Sequence, residues 1–88
     1  MTLDNALDKV TDKKSFLVFV QLLLEDREKV ENKKMTIDGF QGDWANNDIS
    51  SFLEASLAWA EDSDFVSQKN TNPWNECATF LLLGKIYE

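Results

Sequence analysis

The stretch Ile49-Ser-Ser-Phe-Leu-Glu-Ala-Ser-Leu-Ala-Trp-Ala-Glu-Asp62 carries the clearest helical pattern in this chain of 88 residues. At about 100° per residue, its apolar and small side chains fall on one side: Ile49, Phe52, Leu53, Ser56, Leu57 and Ala60. The opposite side holds Glu54, Ala58, Glu61 and Asp62, and Trp59 lies at the border. We therefore expect a helix that begins after a capping Asp48, ends near Asp62 to Asp64, and buries its apolar side.

The residues before this stretch predict two helices. The first is short, over residues 3–10, with Thr2 as its cap. The second runs from Thr11 or Asp12 towards Glu31, and its main apolar stripe consists of Phe16, Phe19, Val20, Leu23 and Val30. Further apolar side chains widen this stripe nearly all round, namely Leu17, Val18, Leu22 and Leu24. Such breadth is typical of a helix covered on every side, so we expect the second helix to be central.

The last helix is predicted to start at Asn72-Pro73 and to end near Gly84. Asn is a favourable cap, Pro suits the first helical position, and Gly is common just after a helix end. The whole chain has one Pro and three Gly, and no stretch alternates as a strand would. The predicted fold class is therefore all-α: residues 1–88 form a single compact bundle of three main helices plus a short N-terminal helix.

The connection over residues 32–47 is punctuated by Gly and Asn but is unusually apolar for a loop. Its large apolar side chains are Met35, Ile37, Phe40 and Trp44. Such a segment should pack back on the body of the protein or contact a partner. For Trp44 both a core position and an exposed interface position are open, whereas Trp59 and Trp74 lie on or beside apolar stripes and are expected in the core.

The formal charge of −7 is concentrated in the middle of the sequence. The segment from Met35 to Gln68 contains no Lys, Arg or His, while its carboxylates are Asp38, Asp43, Asp48, Glu54, Glu61, Asp62 and Asp64. The flanking segments, residues 1–34 and 69–88, each sum to zero. A region of one sign attracts an oppositely charged partner at a distance. It disfavours nucleic acids and anionic membranes, which are bound through Lys and Arg.

Composition argues for a cytoplasmic protein. The single Cys excludes an internal disulfide. The longest apolar run, residues 16–24, is interrupted by Gln21 and is too short to span a bilayer. The chain opens without the basic and apolar segments of an export signal.

The residue types favour a non-catalytic protein without cofactor or metal. There is no His, which is the usual general base and metal ligand. Cys77 lies on an apolar stripe and is expected in the core, and no spacing singles out a pair of carboxylates for acid–base chemistry. Counted from Asp62, a calcium loop would need Gly and Glu where the chain has Ser67 and Pro73. Ser63 follows a helix, whereas the serine of a phosphopantetheine carrier precedes one.

From Trp44 onward the chain resembles a family of small uncharacterised bacterial proteins. The pattern consists of Trp44 with Asn46-Asn47, Phe52-Leu53-Glu54-Ala55, Trp59, Pro73-Trp74 and the ending Gly84-Lys85-Ile86-Tyr87-Glu88. These are mostly core-type residues. The resemblance implies a stand-alone domain and no particular activity.

The leading hypothesis is a binding module that engages a basic protein surface. Its candidate contact residues are Asp38, Asp43, Trp44, Glu54, Glu61 and Asp62. The most specific version is an immunity or inhibitor protein that covers the cationic site of a toxin or nuclease. The main alternative is a structural or regulatory adaptor with an apolar surface around Phe40 and Trp44, of which homodimerisation is one form. A third possibility is a nucleic-acid mimic whose carboxylates imitate phosphate spacing.

Overall fold

The computed structural model describes residues 2–63 and 72–87. Its helices are α1 (Leu3–Asp8), α2 (Lys13–Glu28), α3 (Ile49–Asp62) and α4 (Pro73–Ile86). Within the described residues no strand forms, and Gln41 and Trp44 make an isolated bridge. The predicted all-α fold of three main helices and a short N-terminal helix is confirmed.

Each helix begins where a local side chain can satisfy its first backbone N–H groups. The four capping residues are Thr2, Asp12, Asp48 and Asn72. At α2 the cap is reciprocal, because Asp12 accepts from the backbone of Ser15 and the Ser15 side chain accepts from the backbone of Asp12. The predicted helix starts are therefore confirmed, since capping depends only on neighbouring residues.

α4, and not α2, is the central helix. α4 contacts α1, α2 and α3, whereas α2 and α3 do not contact each other. The expected all-round covering of α2 is wrong, because Leu17, Val18 and Leu24 are exposed. α2 packs along one side only, so the apolar residues on its far side face solvent.

The three long helices lie side by side in the order α2, α4, α3. α2 runs parallel to α4, since the rings of Phe16 and Trp74 meet at 5.4 Å near the helix starts and Asp26 meets Lys85 near the ends. α3 runs antiparallel to α4: Asn46, just before α3, donates to the carbonyl of Gly84, and Ser56 in mid-helix donates to that of Phe80.

Gly84 decides how closely α3 approaches α4. It was expected to end the last helix, but α4 continues to Ile86. A Cβ atom at Gly84 would lie 2.6 Å from Ser56 Oγ and 2.8 Å from Phe52 Cζ. The glycine is therefore required by helix packing rather than by a cap.

The buried side of α3 differs from the predicted one. Ala55 and Ser56 are buried, while Ile49, Leu53 and Leu57 are exposed. On the helical projection the buried side is turned by roughly 80° from the expected side. α3 meets Gly84 through Ser56 and Phe52, two residues of the predicted side, while the large aliphatic side chains Leu53 and Leu57 are left outside.

The core lies between α1, α2 and α4. Its buried side chains include Ala6, Val10, Phe19, Leu23, Val30, Trp44, Ala78 and Leu82. The expectation that Cys77 is a core residue is wrong, because it is exposed at the edge of α4.

Candidate functional site

Trp44 is a core residue, so its place in the predicted contact set is wrong. It is 5% exposed, and its indole Nε1 donates to Asp26 Oδ2 at 2.9 Å. The cationic groups of Arg27 and Lys85 lie 5.2 and 5.6 Å from its ring. Phe52 of α3 lies 6.2 Å away, so the ring fills the gap between α2 and α3. No exposed edge remains for a partner.

The charge of Asp43 is partly neutralised within the chain. Lys85 Nζ donates to Asp26 Oδ2 at 2.7 Å and to Asp43 Oδ2 at 3.0 Å, and its side chain is 6% exposed. Burial alone would lower the pKa of Lys85, but the hydrogen bonds and charges of the two carboxylates outweigh it and raise the pKa above 10.5. Asp43 stays 73% exposed, yet its oxygen is engaged, so it attracts a partner less than the sequence implied.

Side-chain hydrogen bonds hold the loop that precedes α3 in place. Arg27 donates to Asn47 Oδ1 at 2.9 Å and to Gln41 Oε1 at 2.6 Å. Gln41 in turn donates to the carbonyls of Glu31 and Lys33. The loop is thereby fixed to the end of α2, and it determines where α3 begins.

Asp38 and Asp62 lie on different elements, Asp38 in the loop before α3 and Asp62 at the end of α3 next to Glu61. Asp38 is exposed in a turn closed by backbone hydrogen bonds between Thr36 and Phe40 and between Gly39 and Thr36. Asp62 accepts a hydrogen bond from the hydroxyl of Tyr87, and this bond raises the pKa of Tyr87 above 10.0. Asp64 lies outside the described residues.

Glu54 and Glu61 are exposed together on α3, beside an apolar strip that the helical pattern predicts to be buried. The strip consists of Ile49, Leu53 and Leu57, four residues apart, and spans about 12 Å at 1.5 Å per residue. We call this surface the α3 face, formed by Ile49, Ser50, Leu53, Glu54, Leu57 and Glu61. The sequence feature that points to the observed buried side of α3 is the pair Ala55-Ser56. Two small adjacent side chains allow another helix to approach closely.

A family model matches residues 12–88, and it describes a family of unknown function, DUF7660. The chain belongs to this family. No curated protein and no solved structure matches it. Because the DUF7660 match covers α2, the loop, α3 and α4, it includes every residue of the α3 face.

The DUF7660 chain also has a polar cleft between α1 and the ends of α2 and α4. Its volume is about 450 Å³, and its charged lining residues are Asp4, Glu25, Asp26, Lys29, Asp43 and Lys85. Among the residues described, no group of His, Cys, Asp and Glu could hold a metal ion. None of the described helices is both long and apolar enough to cross a bilayer.

Proposed function

We propose that this DUF7660 chain is a non-catalytic protein-binding module and that the α3 face is its docking surface. The observation that carries the proposal is the exposure of Ile49, Leu53 and Leu57 in a line on one helix, with Glu54 and Glu61 alongside. Apolar residues at intervals of four on an exposed helix are a common way to anchor a partner. Carboxylates at the margin then select a partner by charge.

The partner that fits the α3 face has an apolar centre and a basic margin. The segment from Met35 to Gln68 contains no cation to neutralise Glu54 and Glu61. Two described cations approach this segment, Arg27 and Lys85, and both are held by other partners. Among the described residues neither Glu54 nor Glu61 forms an ion pair. Basic groups on a partner would therefore meet carboxylates that these cations do not neutralise, which raises the association rate.

The most specific form of the proposal is an immunity or inhibitor protein. Such a protein would act in the cytoplasm by covering the cationic substrate site of a toxin or nuclease. The small size, the net negative charge and the rigid attachment of the loop before α3 support this role. A preformed surface suits it because little conformational entropy is lost on binding.

The exposed aliphatic residues favour a second candidate, an adaptor whose binding energy comes from the apolar strip alone. The dependence of association on salt concentration distinguishes the two proposed functions. Charge-driven association slows as salt is added, whereas apolar association responds little. The apolar docking surface of this adaptor would consist of Ile49, Leu53 and Leu57, whereas the sequence alone suggested Phe40 and Trp44.

The test is co-purification with the product of a neighbouring gene, followed by binding kinetics over a salt series. For a basic partner, we expect E54K/E61K to lower the association rate about tenfold or more at low salt. L53S/L57S should instead raise the dissociation rate, because it removes the apolar anchors.

The matched control is D8K/E28K, which changes the net charge equally at exposed positions outside the α3 face. Its association rate should fall much less than that of E54K/E61K. Equal losses would show that net charge, and not the α3 face, governs binding. Binding that ignores salt and charge reversal but fails in L53S/L57S would establish the adaptor. Failure to bind any basic neighbour at low salt would refute the leading proposal.

A further inference from the structure

A pocket of about 400 Å³ adjoins the α3 face at the start of α3. The end of α2 contributes Arg27 to its lining, and α3 contributes Ile49 and Phe52. The volume lies within the range of small-molecule sites, about 300–1,000 Å³, and is ample for one side chain. Because Ile49 belongs both to the pocket and to the α3 face, a partner that docks on this face can reach into the pocket. We call it the Ile49 pocket.

Hydrogen bonds within the chain hold the polar wall of the Ile49 pocket in place. Arg27 donates to Asn47 Oδ1 at 2.9 Å, and Asn47 Nδ2 donates to the carbonyl of Gly39 at 2.6 Å. Arg27 Nε also donates to Glu31 Oε1 at 3.2 Å, so the charge of Arg27 is offset by a neighbour. The pocket is therefore preformed, and little ordering of its wall is needed when a side chain enters.

The charge that the Ile49 pocket leaves without an ion pair is negative. The charged residues of its lining are Arg27, Glu31 and Asp48. Arg27 pairs with Glu31, whereas Asp48 forms no ion pair among the described residues. Hydrogen bonds from the backbone and the side chain of Ser51 hold the pKa of the Asp48 carboxyl below 3.8, so this group is ionised at neutral pH. A cation that enters the pocket would meet this carboxylate.

The apolar wall of the Ile49 pocket consists of Ile49, which is 79% exposed, and the half-buried Phe52. Trp44 also lines the pocket, but it is buried and adds little contact area. Lys and Arg combine an aliphatic stem with a cationic head and so match this mixed lining. An acidic side chain would be repelled by the two carboxylates of the pocket, and all three side-chain nitrogens of Arg27 already donate within the chain.

We infer that the Ile49 pocket receives one lysine or arginine side chain of the protein that docks on the α3 face. The stem of this side chain contacts Ile49 and Phe52, and its cationic head lies beside Asp48 and Glu31. The inference rests on the proposed docking role of the α3 face and adds a specificity-determining site at its end. Side chains that fill a pocket commonly provide a large share of the binding energy of an interface.

Two-dimensional NMR of the isotope-labelled full chain, titrated with N-acetyl-arginine amide or N-acetyl-lysine amide, tests the inference. We expect saturable shifts at the backbone amides of Asp48 and Ile49, with a dissociation constant on the order of 1–10 mM, as suits a single side chain. N-acetyl-citrulline amide has nearly the shape of the arginine probe but no charge. It should bind about fivefold more weakly or less tightly still.

The variant E31Q/D48N should weaken the binding of both basic probes about fivefold or more, because it removes both negative charges of the pocket. Asn remains a good cap for α3, and Gln can still accept the hydrogen bond from Arg27. The matched control is D12N/E25Q, which makes the same changes outside the pocket, at another helix cap and at another glutamate that accepts a side-chain hydrogen bond. It should bind like the parent chain, and circular dichroism verifies that every variant is folded.

The absence of saturable shifts, equal binding of the citrulline probe, or equal losses in the two variants would overturn the inference. A chain that binds a basic protein in a manner sensitive to E54K/E61K but not to E31Q/D48N would overturn the inference and leave the proposed function standing. Binding of the basic probes by a chain that captures no basic protein would instead refute the proposed function, and with it the docking role of the pocket.

Discussion

Tyr87 is the only tyrosine of the chain, so its phenol can be titrated without interference. The hydrogen bond to Asp62, with smaller effects of burial and of the negative charge, raises the pKa of Tyr87 above 10.0. The folded state thus favours the neutral phenol. This contribution to stability is complete below pH 10.0 and is lost as the pH rises through the raised pKa.

We predict that the ultraviolet absorbance of the folded chain titrates with a midpoint pH above 10.0, and that D62A lowers this midpoint towards 10.0. The alanine removes both the hydrogen-bond acceptor and the negative charge. The chain unfolded in urea, where the contact is absent, provides the reference. Equal midpoints for the parent chain and D62A would show that the hydroxyl does not contact Asp62 in solution.

At the scale of single residues, local roles were predictable and distant contacts were not. Asp48 caps α3 because its carboxylate reaches the backbone of Ser51, three residues away. The role of Trp44 stayed open in the sequence, because its partners Asp26 and Lys85 come from α2 and α4. Such partners depend on how the helices are arranged.

At the scale of helices, Lys85 connects the end of α4 to α2 through Asp26 and to the loop through Asp43. Burial would raise the pKa of Asp26, but the hydrogen bonds from Lys85 and Trp44 outweigh it and lower the pKa below 3.8. The contribution of Asp26 to folding stability is therefore present above pH 3.8 and is lost as the pH falls through its lowered pKa. The contribution of Lys85 to folding stability is present below pH 10.5 and is lost as the pH rises through its raised pKa.

We predict that K85M lowers the free energy of unfolding at pH 7 by about 2 kcal/mol, less than the 3–5 kcal/mol typical of a fully buried pair. The smaller value follows because Asp26 and Asp43 keep access to water. Urea denaturation measures the loss, and K9M, at an exposed lysine, should change little. K85M should also weaken the decline in stability below pH 3.8. A K85M effect no larger than that of K9M would contradict the proposed connection.

Helix starts followed from the sequence, whereas the ends of α1, α2 and α4 and the orientation of the helices did not. The apolar pattern of α3 assigns Leu53 and Leu57 to the buried side, because a projection assumes that the largest aliphatic side chains face inward. In the structure α3 instead contacts Gly84 through Ser56 and Phe52, and Ala55 is buried beside Ser56. The position of a glycine on another helix thus turned the α3 face towards solvent.

At the scale of the whole molecule, α2 and α3 both pack on α4 but do not contact each other. Leu17 and Leu57 are exposed, while Leu82 of α4 is buried. The arrangement leaves apolar residues exposed on both α2 and α3. Surfaces of this kind on a small protein commonly serve interactions.

We predict that L17A and L57A each lower the free energy of unfolding by less than about 1 kcal/mol. L82A should lower it by about 2–5 kcal/mol, because it creates a cavity in the core. Urea denaturation gives both values. A loss for L57A as large as that for L82A would show that α3 buries the side expected from its sequence.

The sequence by itself determined the all-α fold, the helix starts and the concentration of negative charge between Met35 and Gln68. The fold class follows from the periodicity of apolar residues, the helix starts follow from capping residues within three positions, and the charge follows from composition. Only the tertiary structure decided that α4 is central, that Trp44 is buried and that the strip of Ile49, Leu53 and Leu57 faces solvent. Each of these depends on which helix packs against which, and that is set by close approach at Gly84 and by the ion pairs of Lys85.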